Sequence, residues 1–224
     1  MSKHLEREVE RLKKRILSLS AFVEENVRKA VWSIAERKVE LAREVIESDV
    51  EVDKQEIEVE EECLKILALH QPVAIDLRFI VAVLKINNDL ERVGDLAVNI
   101  AKRAVFLTTQ EQVDVPSDFL RMSQKAQLML HQSLDSLVNL DAQLAREVCA
   151  ADDEVDEMNR QMHGQIQEGI RNHPEQVASL IHLLGASRRL ERIADHATNI
   201  AEDVIYMIEG EIVRHRVEDY PPKG

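Results

Sequence analysis

Four pairs of acidic residues have a spacing that places both carboxylates of a pair on one face of an α-helix, where residues i and i+4 are neighbours. Two of the pairs lie in near-copies of one segment, L-E-R-V-G-D-L-A-V-N-I-A at 90–101 and L-E-R-I-A-D-H-A-T-N-I-A at 190–201. The four pairs are Asp49 with Asp53, Glu91 with Asp95, Asp152 with Asp156, and Glu191 with Asp195. Clustered carboxylates attract cations, and oxygen ligands favour Mg, Mn, Ca or Fe, with Zn possible. The chemistry that these residues indicate is metal binding.

The pairs come together only if the helices that carry them face each other, as antiparallel neighbours in a bundle would. We then expect a first acidic site formed by Asp49, Asp53, Glu91 and Asp95, and a second acidic site formed by Asp152, Asp156, Glu191 and Asp195. Asn99 and Asn199 extend each stripe by one turn. Two alternatives stay open. Arg92 and Arg192 can neutralise part of the charge, and a solvated acidic helix face needs no metal at all.

Other catalytic chemistry is not expected from this sequence. Ferritin-like di-iron enzymes use Glu-x-x-His on a helix, and none of the eight histidines has an acidic residue three positions before it. His196 follows Asp195 directly, so it points about 100° away from it around a helix; we interpret His196 as a surface histidine. The chain has no glycine-rich phosphate loop, no H-E-x-x-H motif and no nucleophile elbow. We therefore expect no catalytic residue and no enzyme.

The elements that must position the acidic pairs are long helices. Apolar residues recur at steps of three and four, which is typical of amphipathic helices. The pattern, together with the breaks at H-Q-P (70–72), at the segment 108–118 and at His173-Pro174, predicts six helices. Their predicted ranges are 5–34, 39–69, 73–107, 117–140, 141–172 and 174–209.

The two halves of the chain repeat each other. E-V-D at 51–53 returns at 154–156, His70 returns at His173, and the acidic segment returns at 190–201, so the offset falls from 103 to 100. We predict an all-α fold of two tandem, symmetry-related antiparallel three-helix bundles. The predicted domains are 1–108 and 117–213, followed by a frayed tail at 214–224.

Composition agrees with this class and limits the partners. The chain has 224 residues, 45% of them hydrophobic and only 3% aromatic, which suits helices better than sheets. A net charge of −13 disfavours nucleic acid and anionic membrane surfaces. No run approaches the roughly 18 apolar residues of a membrane span, and the charged N-terminus is unlike a signal peptide. We expect a cytoplasmic protein in which Cys63 and Cys149 are buried, isolated thiols.

The segment H-Q-P-V-A-I-D-L-R at 70–78, followed by the two acidic segments, resembles the PhoU family of phosphate-specific transport system accessory proteins. The resemblance covers nearly the whole chain. It implies two symmetric three-helix bundles, often associated as homodimers, and multinuclear metal clusters (Fe, Zn, Mn or Mg) held by the eight carboxylates of the two acidic sites. Two departures are Leu96, where the family commonly has His, and Ala194, where Gly is usual. Neither departure removes a carboxylate.

The function implied by the resemblance is negative regulation of phosphate uptake and of the phosphate-starvation response. In this role the protein is an adaptor between the phosphate ABC transporter, through its ATPase subunit, and a sensor histidine kinase. Two other hypotheses remain at this point. One is a carboxylate-bridged metalloenzyme that acts on phosphate or oxygen. The other is a metal-free helical interaction protein that serves another phosphate transporter.

Overall fold

The computed structural model describes residues 3–210, which form seven α-helices, a short 3₁₀ turn at Pro174–Gln176 and no strand. The helices are α1 (Lys3–Ala35), α2 (Val39–Glu47), α3 (Asp49–His70), α4 (Ile75–Thr108), α5 (Ser117–Asn139), α6 (Ala142–Asn172) and α7 (Val177–Glu209). The all-α prediction is confirmed. The predicted frayed tail at 214–224 lies outside the described residues.

The second helix is interrupted, so the prediction of one continuous helix over 39–69 is wrong. The break falls at Ser48, whose hydroxyl donates to the Val45 carbonyl at 2.9 Å. Ser33 and Ser187 make the same kind of bond inside unbroken helices, so this bond alone does not cause the break. The backbone N–H groups of Glu51 and Val52 both donate to the Ser48 carbonyl, at 3.0 and 3.3 Å, and this restarts the helix as α3. As a result Asp49 stands at the first position of α3, where the helix dipole favours a negative charge.

The second bundle has no such break. Its middle helix α6 begins at an N-cap that satisfies free backbone donors, because the Asp141 carboxylate accepts from the N–H groups of Gln143 and Leu144, both at 3.0 Å. From there α6 runs unbroken to Asn172, so Asp152 lies within a helix rather than at its start.

The two bundles share one hydrophobic core. The third helices, α4 and α7, pack against each other along their length as well as against the helices of their own halves. Small residues allow this close packing, and Ala97, Ala101, Ala197 and Ala201 are all fully buried. The prediction of two tandem three-helix bundles is confirmed.

Packing inside the bundles explains two further sequence features. Gly94 lets α3 approach α4, because a Cβ at Gly94 would lie 3.1 Å from Cγ1 of Val52. Cys63 is fully buried, as predicted, and burial raises the pKa of its thiol to about 12. Cys149 is only partly buried. Across residues 3–210, no helix combines the length and the apolar character that crossing a bilayer would require.

Candidate metal centre

The first acidic site forms where α3 packs against α4. Burial raises the pKa of Asp49, with further increases from the carboxylates of Asp53, on the same helix, and Asp95, on the facing helix. Burial also raises the pKa of Glu91, followed by the effects of Asp95 and of Asp53 across the helix interface. The two predicted pairs therefore face each other, with negative charge concentrated between the helices.

The second acidic site forms in the same way between α6 and α7. Burial, then the carboxylates of Asp195 and Asp156, raise the pKa of Asp152 to about 6. The pKa of Glu191 is raised by burial and by the same two aspartates. Partial burial and the Asp156 carboxylate raise the pKa of Asp195. A cation bound beside these carboxylates would favour their ionised form and so lower their pKa.

Arginine side chains offset only part of this charge. Arg92 places its Nε 3.4 Å from Glu91 and its Nη1 3.9 Å from Asp95. The Arg92 side chain is 58% exposed, so both interactions are weakened by water. At the second site the positive charge of Arg192 lowers the pKa of Glu191, yet the net shift of Glu191 is still upward. Arg92 and Arg192 thus neutralise part of the charge, and the pKa values of Glu91 and Glu191 stay raised.

The structure adds two acidic residues that the sequence analysis missed. Glu56 and Glu60 follow Asp53 on α3 and line the same groove between α3 and α4, together with Asn87 and Glu91. Burial, then Glu60 and Asp53, raise the pKa of Glu56. These residues could have been found by continuing the stripe from Asp53 at steps of three and four, because that spacing keeps side chains on one helix face.

The second half has different residues at the corresponding positions. With the offset of 103, Glu56 corresponds to Asn159 and Glu60 to His163. The Asn159 side-chain amide donates to the Glu191 carboxylate at 3.1 Å, and the Ser187 hydroxyl donates to the Asn159 carbonyl oxygen at 3.2 Å. The second site therefore holds a Glu191 side chain in place with a neutral donor, where the first site adds more negative charge.

The side-chain amides of the two asparagines donate to groups other than the eight predicted carboxylates. Asn99 donates to the backbone carbonyl of Asp95 at 2.8 Å, and Asn199 donates to Asp89 at 3.4 Å. The interpretation of His196 as a surface histidine is wrong. Its side chain is 16% exposed, and its Nδ1 lies 2.7 Å from the Asp89 carboxylate, across the interface between α7 and α4.

As metal donors, the eight predicted carboxylates fit by type and by charge. Oxygen ligands of this kind suit hard cations. Burial first, and neighbouring negative charge second, raise the pKa of five of them: Asp49, Glu91, Asp152, Glu191 and Asp195. Among the residues that the structure describes, however, no three Asp, Glu, His or Cys side chains are gathered closely enough to surround one ion. The helices bring the donors face to face, and the side chains do not converge.

Comparison with known protein families gives independent information about this fold and these sites. The family model described as the PhoU domain matches the chain twice, over residues 16–104 and 119–204. The chain belongs to the PhoU family. Each match contains one complete acidic site.

Relatives of this PhoU-family chain match it over nearly its full length. It is 38% identical to the phosphate-specific transport system accessory protein PhoU homolog of Aquifex aeolicus, over 94% of this chain and 95% of that protein. It is 34% identical to the homolog of the same name from Pseudomonas aeruginosa, over 96% of this chain and 89% of the relative.

Solved PhoU structures share the architecture. The crystal structure of PhoU from Pseudomonas aeruginosa matches with a TM-score of 0.87 at 33% identity, covering 92% of this chain and 99% of the other. The phosphate transport system regulatory protein PhoU from Streptococcus pneumoniae matches with the same TM-score at 27% identity, covering 93% of this chain and 99% of the other.

Proposed function

We propose that this protein is an accessory protein of phosphate transport that restrains phosphate uptake and the phosphate-starvation response when phosphate is plentiful. The observation that carries the proposal is family membership over the whole described fold: both halves match the PhoU domain, and the relatives that match are named phosphate-specific transport system accessory proteins. The residues of both acidic sites lie inside the matched segments.

Regulation takes place by docking, with the protein acting as an adaptor between the ATPase subunit of a phosphate ABC transporter and a sensor histidine kinase. Its helices offer broad surfaces for this purpose. Apolar side chains are exposed around the turn between α3 and α4, at Leu69, Val73 and Ile75. Exposed apolar residues grouped in this way are typical of protein–protein contact surfaces. In this role the protein is a homodimer and catalyses no reaction.

Each acidic site holds metal ions, as a multinuclear cluster of Fe, Zn, Mn or Mg. The donors at the first site are Asp49, Asp53, Glu91 and Asp95, and those at the second are Asp152, Asp156, Glu191 and Asp195. The bound ions would supply positive charge that joins the second helix of a half to its third helix. The contribution of the chain is to hold like charges face to face, which is costly without a cation.

Phosphate uptake in cells tests the regulatory part of the proposal. In a bacterial host that lacks its own PhoU-family protein, expression of this chain is expected to lower phosphate uptake and the activity of a starvation-responsive promoter in phosphate-rich medium. A host chosen for its related transporter keeps the test sensitive. If uptake and promoter activity both remain at the level of the empty vector, the regulatory proposal is wrong.

Metal content tests the acidic sites separately. The protein is purified without chelator or histidine tag and analysed by elemental mass spectrometry, beside the variant Asp95→Asn/Asp195→Asn. A matched control, Glu61→Gln/Glu168→Gln, removes the same charge from exposed positions on α3 and α6. We expect several metal equivalents per chain in the wild type and the control, and a large loss in the Asp95/Asp195 variant. Metal absent from all three samples would favour the metal-free interaction protein instead.

A further inference from the structure

The interface between α4 and α7 has an internal two-fold relationship. Adding 100 to a position in α4 gives its counterpart in α7, and the two helices run antiparallel, so each contact has a symmetry-related contact at the other end. Lys85 meets Asp203 at one end, and Arg103 meets Gly185 at the other. Symmetry-related positions at the two ends carry different residue types, so the two ends differ in chemistry.

The first of these ends, called here the paired end, balances its charges internally. Lys85 Nζ lies 2.9 Å from Oδ1 of Asp203, a carboxylate that is only 2% exposed. Lys85 also lies 5.3 Å from the ring centroid of Tyr206. The carboxylate of Asp89 is bonded to His196 at 2.7 Å. Lys85, Asp203, Asp89 and His196 thus each have a partner across the interface.

At the other end, called here the arginine end, the counterparts of the two aspartates are arginines. Asp203 corresponds to Arg103, Asp89 corresponds to Arg189, and Lys85 corresponds to Gly185. Both guanidinium groups lie at Gly185. A Cβ on Gly185 would be 2.1 Å from Nη1 of Arg103, and Arg189 donates from its own Nη1 to the Gly185 carbonyl at 2.9 Å.

Carboxylates do not balance these arginines. Within residues 3–210, neither Arg103 nor Arg189 forms an ion pair. Burial and the positive charge of Arg189 lower the pKa of Arg103, which is the direction expected for two cations held together. Both side chains are only partly exposed, so water screens the repulsion less than on an open surface.

The His182 side chain, one helical turn before Gly185, has a ring nitrogen without a partner in the described part of the chain. The His182 ring stacks on Phe106, with centroids 3.7 Å apart and planes 10° from parallel. Its Nδ1 is buried and has no hydrogen-bond partner among the described residues. Buried polar atoms are normally satisfied in folded proteins. The ring lies near Arg103, because burial and then the charge of Arg103 lower the pKa of His182. A ligand bound by the arginines would give the nitrogen a partner.

We propose that the arginine end binds a small tetrahedral oxyanion, inorganic phosphate in the cell, between Arg103 and Arg189. Guanidinium groups bind such oxygens through pairs of parallel N–H bonds, and they stay charged at any physiological pH. Because the two arginines are partly buried between helices, a small ion reaches them more easily than the surface of a partner protein does. Gly185 has no side chain, which leaves room for the Arg103 guanidinium. The site is separate from the acidic sites and requires neither metal nor a protein partner, so it stands independently of the proposed function.

Isothermal titration calorimetry of the full chain with inorganic phosphate tests the proposal directly. Arg103→Gln is expected to weaken binding at least tenfold, whereas Arg171→Gln, which removes the same charge from the exposed end of α6, should stay within twofold of the wild type. Gly185→Ala keeps both charges, but its Cβ would occupy the place of the guanidinium. We expect Gly185→Ala to weaken binding as well.

Thermal unfolding keeps the test decisive if a variant folds poorly. A ligand that binds the folded state raises Tm, so phosphate should raise the Tm of the wild type and of Arg171→Gln, and should leave that of Arg103→Gln unchanged. In phosphate-free buffer Arg103→Gln should be no less stable than the wild type, because it removes a repulsion. Absence of phosphate binding by the wild type, or wild-type affinity in Arg103→Gln, would overturn the proposal.

Two further binding measurements test whether the ligand is free phosphate and whether it binds at the arginine end. AMP carries the same phosphoryl oxygens on a nucleoside, and weaker binding of AMP than of phosphate supports a free ion; tighter binding of AMP would overturn that assignment. The variant Asp95→Asn/Asp195→Asn should bind phosphate normally. If it loses phosphate binding together with its metal, the anion is held at the acidic sites and the arginine end is not its site.

Discussion

The two halves of this protein are built alike and charged differently. At the first acidic site, the stripe on α3 continues through Glu56 and Glu60, which line the groove between α3 and α4 together with Asp53 and Glu91. At the second, Asn159 and His163 take those two positions, and Asn159 donates to Glu191. The comparison shows that duplication has kept the four facing acids and changed their surroundings. The four facing acids are therefore what the two halves share, and the neighbouring residues differ in how much negative charge they add to each site.

The two ends of the α4–α7 interface, which connects the halves, also differ in charge. The paired end of the α4–α7 interface is held by Lys85 with Asp203 and by Asp89 with His196, whereas the arginine end has two cations at Gly185. The Lys85–Asp203 ion pair and the Asp89–His196 hydrogen bond at one end therefore stabilise the assembly of the two bundles, and like charges at the other end oppose it. Three substitutions, at this interface and in the two bundles, test the differences between the halves.

The largest effect is expected at the paired end. Lys85→Gln removes the cation beside the buried Asp203 carboxylate and should lower the free energy of unfolding by about 2 kcal/mol, the usual size for a lost hydrogen bond between charged groups. Urea denaturation measures the change. Lys54→Gln is the control, because Lys54 is 64% exposed and lies 3.9 Å from Glu51, and it should cost less than about 0.5 kcal/mol. Equal effects of the two substitutions would contradict the ranking of the two ion pairs.

An intermediate effect is expected from Asp152→Asn in metal-free protein. The folded-state pKa of Asp152 is raised to about 6, above its ordinary value, so the folded protein holds this proton more tightly than the unfolded chain. Ionisation of Asp152 therefore reduces stability as the pH rises through the interval from about 4 to about 6. At pH 7 the substitution should raise the free energy of unfolding by roughly 1 to 2 kcal/mol.

The same substitution should have no such benefit at pH 4, where Asp152 is already protonated in the folded state. Chemical denaturation at the two pH values provides the measurement, and Asp49→Asn is the matched variant in the first half. Asp49 begins α3 and gains from the helix dipole, so its gain should be smaller than that of Asp152→Asn. A stability gain at pH 4 as large as that at pH 7 would show that charge is not the cause.

The smallest effect is expected where the halves differ by one methyl group. Gly94→Ala gains up to about 1 kcal/mol of helix propensity, but the new Cβ meets Cγ1 of Val52 at 3.1 Å and must displace it by a few tenths of an ångström. The two effects should nearly cancel and leave a net change below about 0.5 kcal/mol. Ala194 occupies the corresponding position of α7 and is fully buried. A loss above 2 kcal/mol, measured by urea denaturation, would mean that α3 and α4 cannot separate even slightly.

Most of this fold could be predicted from the sequence because it is built from local periodicity repeated twice. Apolar steps of three and four place the helices, and the i, i+4 acidic pairs predict which faces meet. The break at Ser48 was missed because a serine inside a helical pattern has no distinctive signal. The contact of His196 with Asp89 was missed for another reason: it joins residues 107 positions apart, and it depends on how α4 and α7 cross.

The shared core of α4 and α7 has a consequence for the origin of the asymmetry. A single half, assembled with a second copy of itself through its third helix, would form an isologous dimer in which both ends of the interface are identical. A pairing such as Lys85 with Asp203 would then have to occur at both ends or at neither. Joining the halves in one chain removes that constraint, because each position mutates on its own. Covalent fusion therefore allows the two ends of the α4–α7 interface to differ. One end pairs its charged side chains with each other, and the other end leaves two arginines available for a ligand.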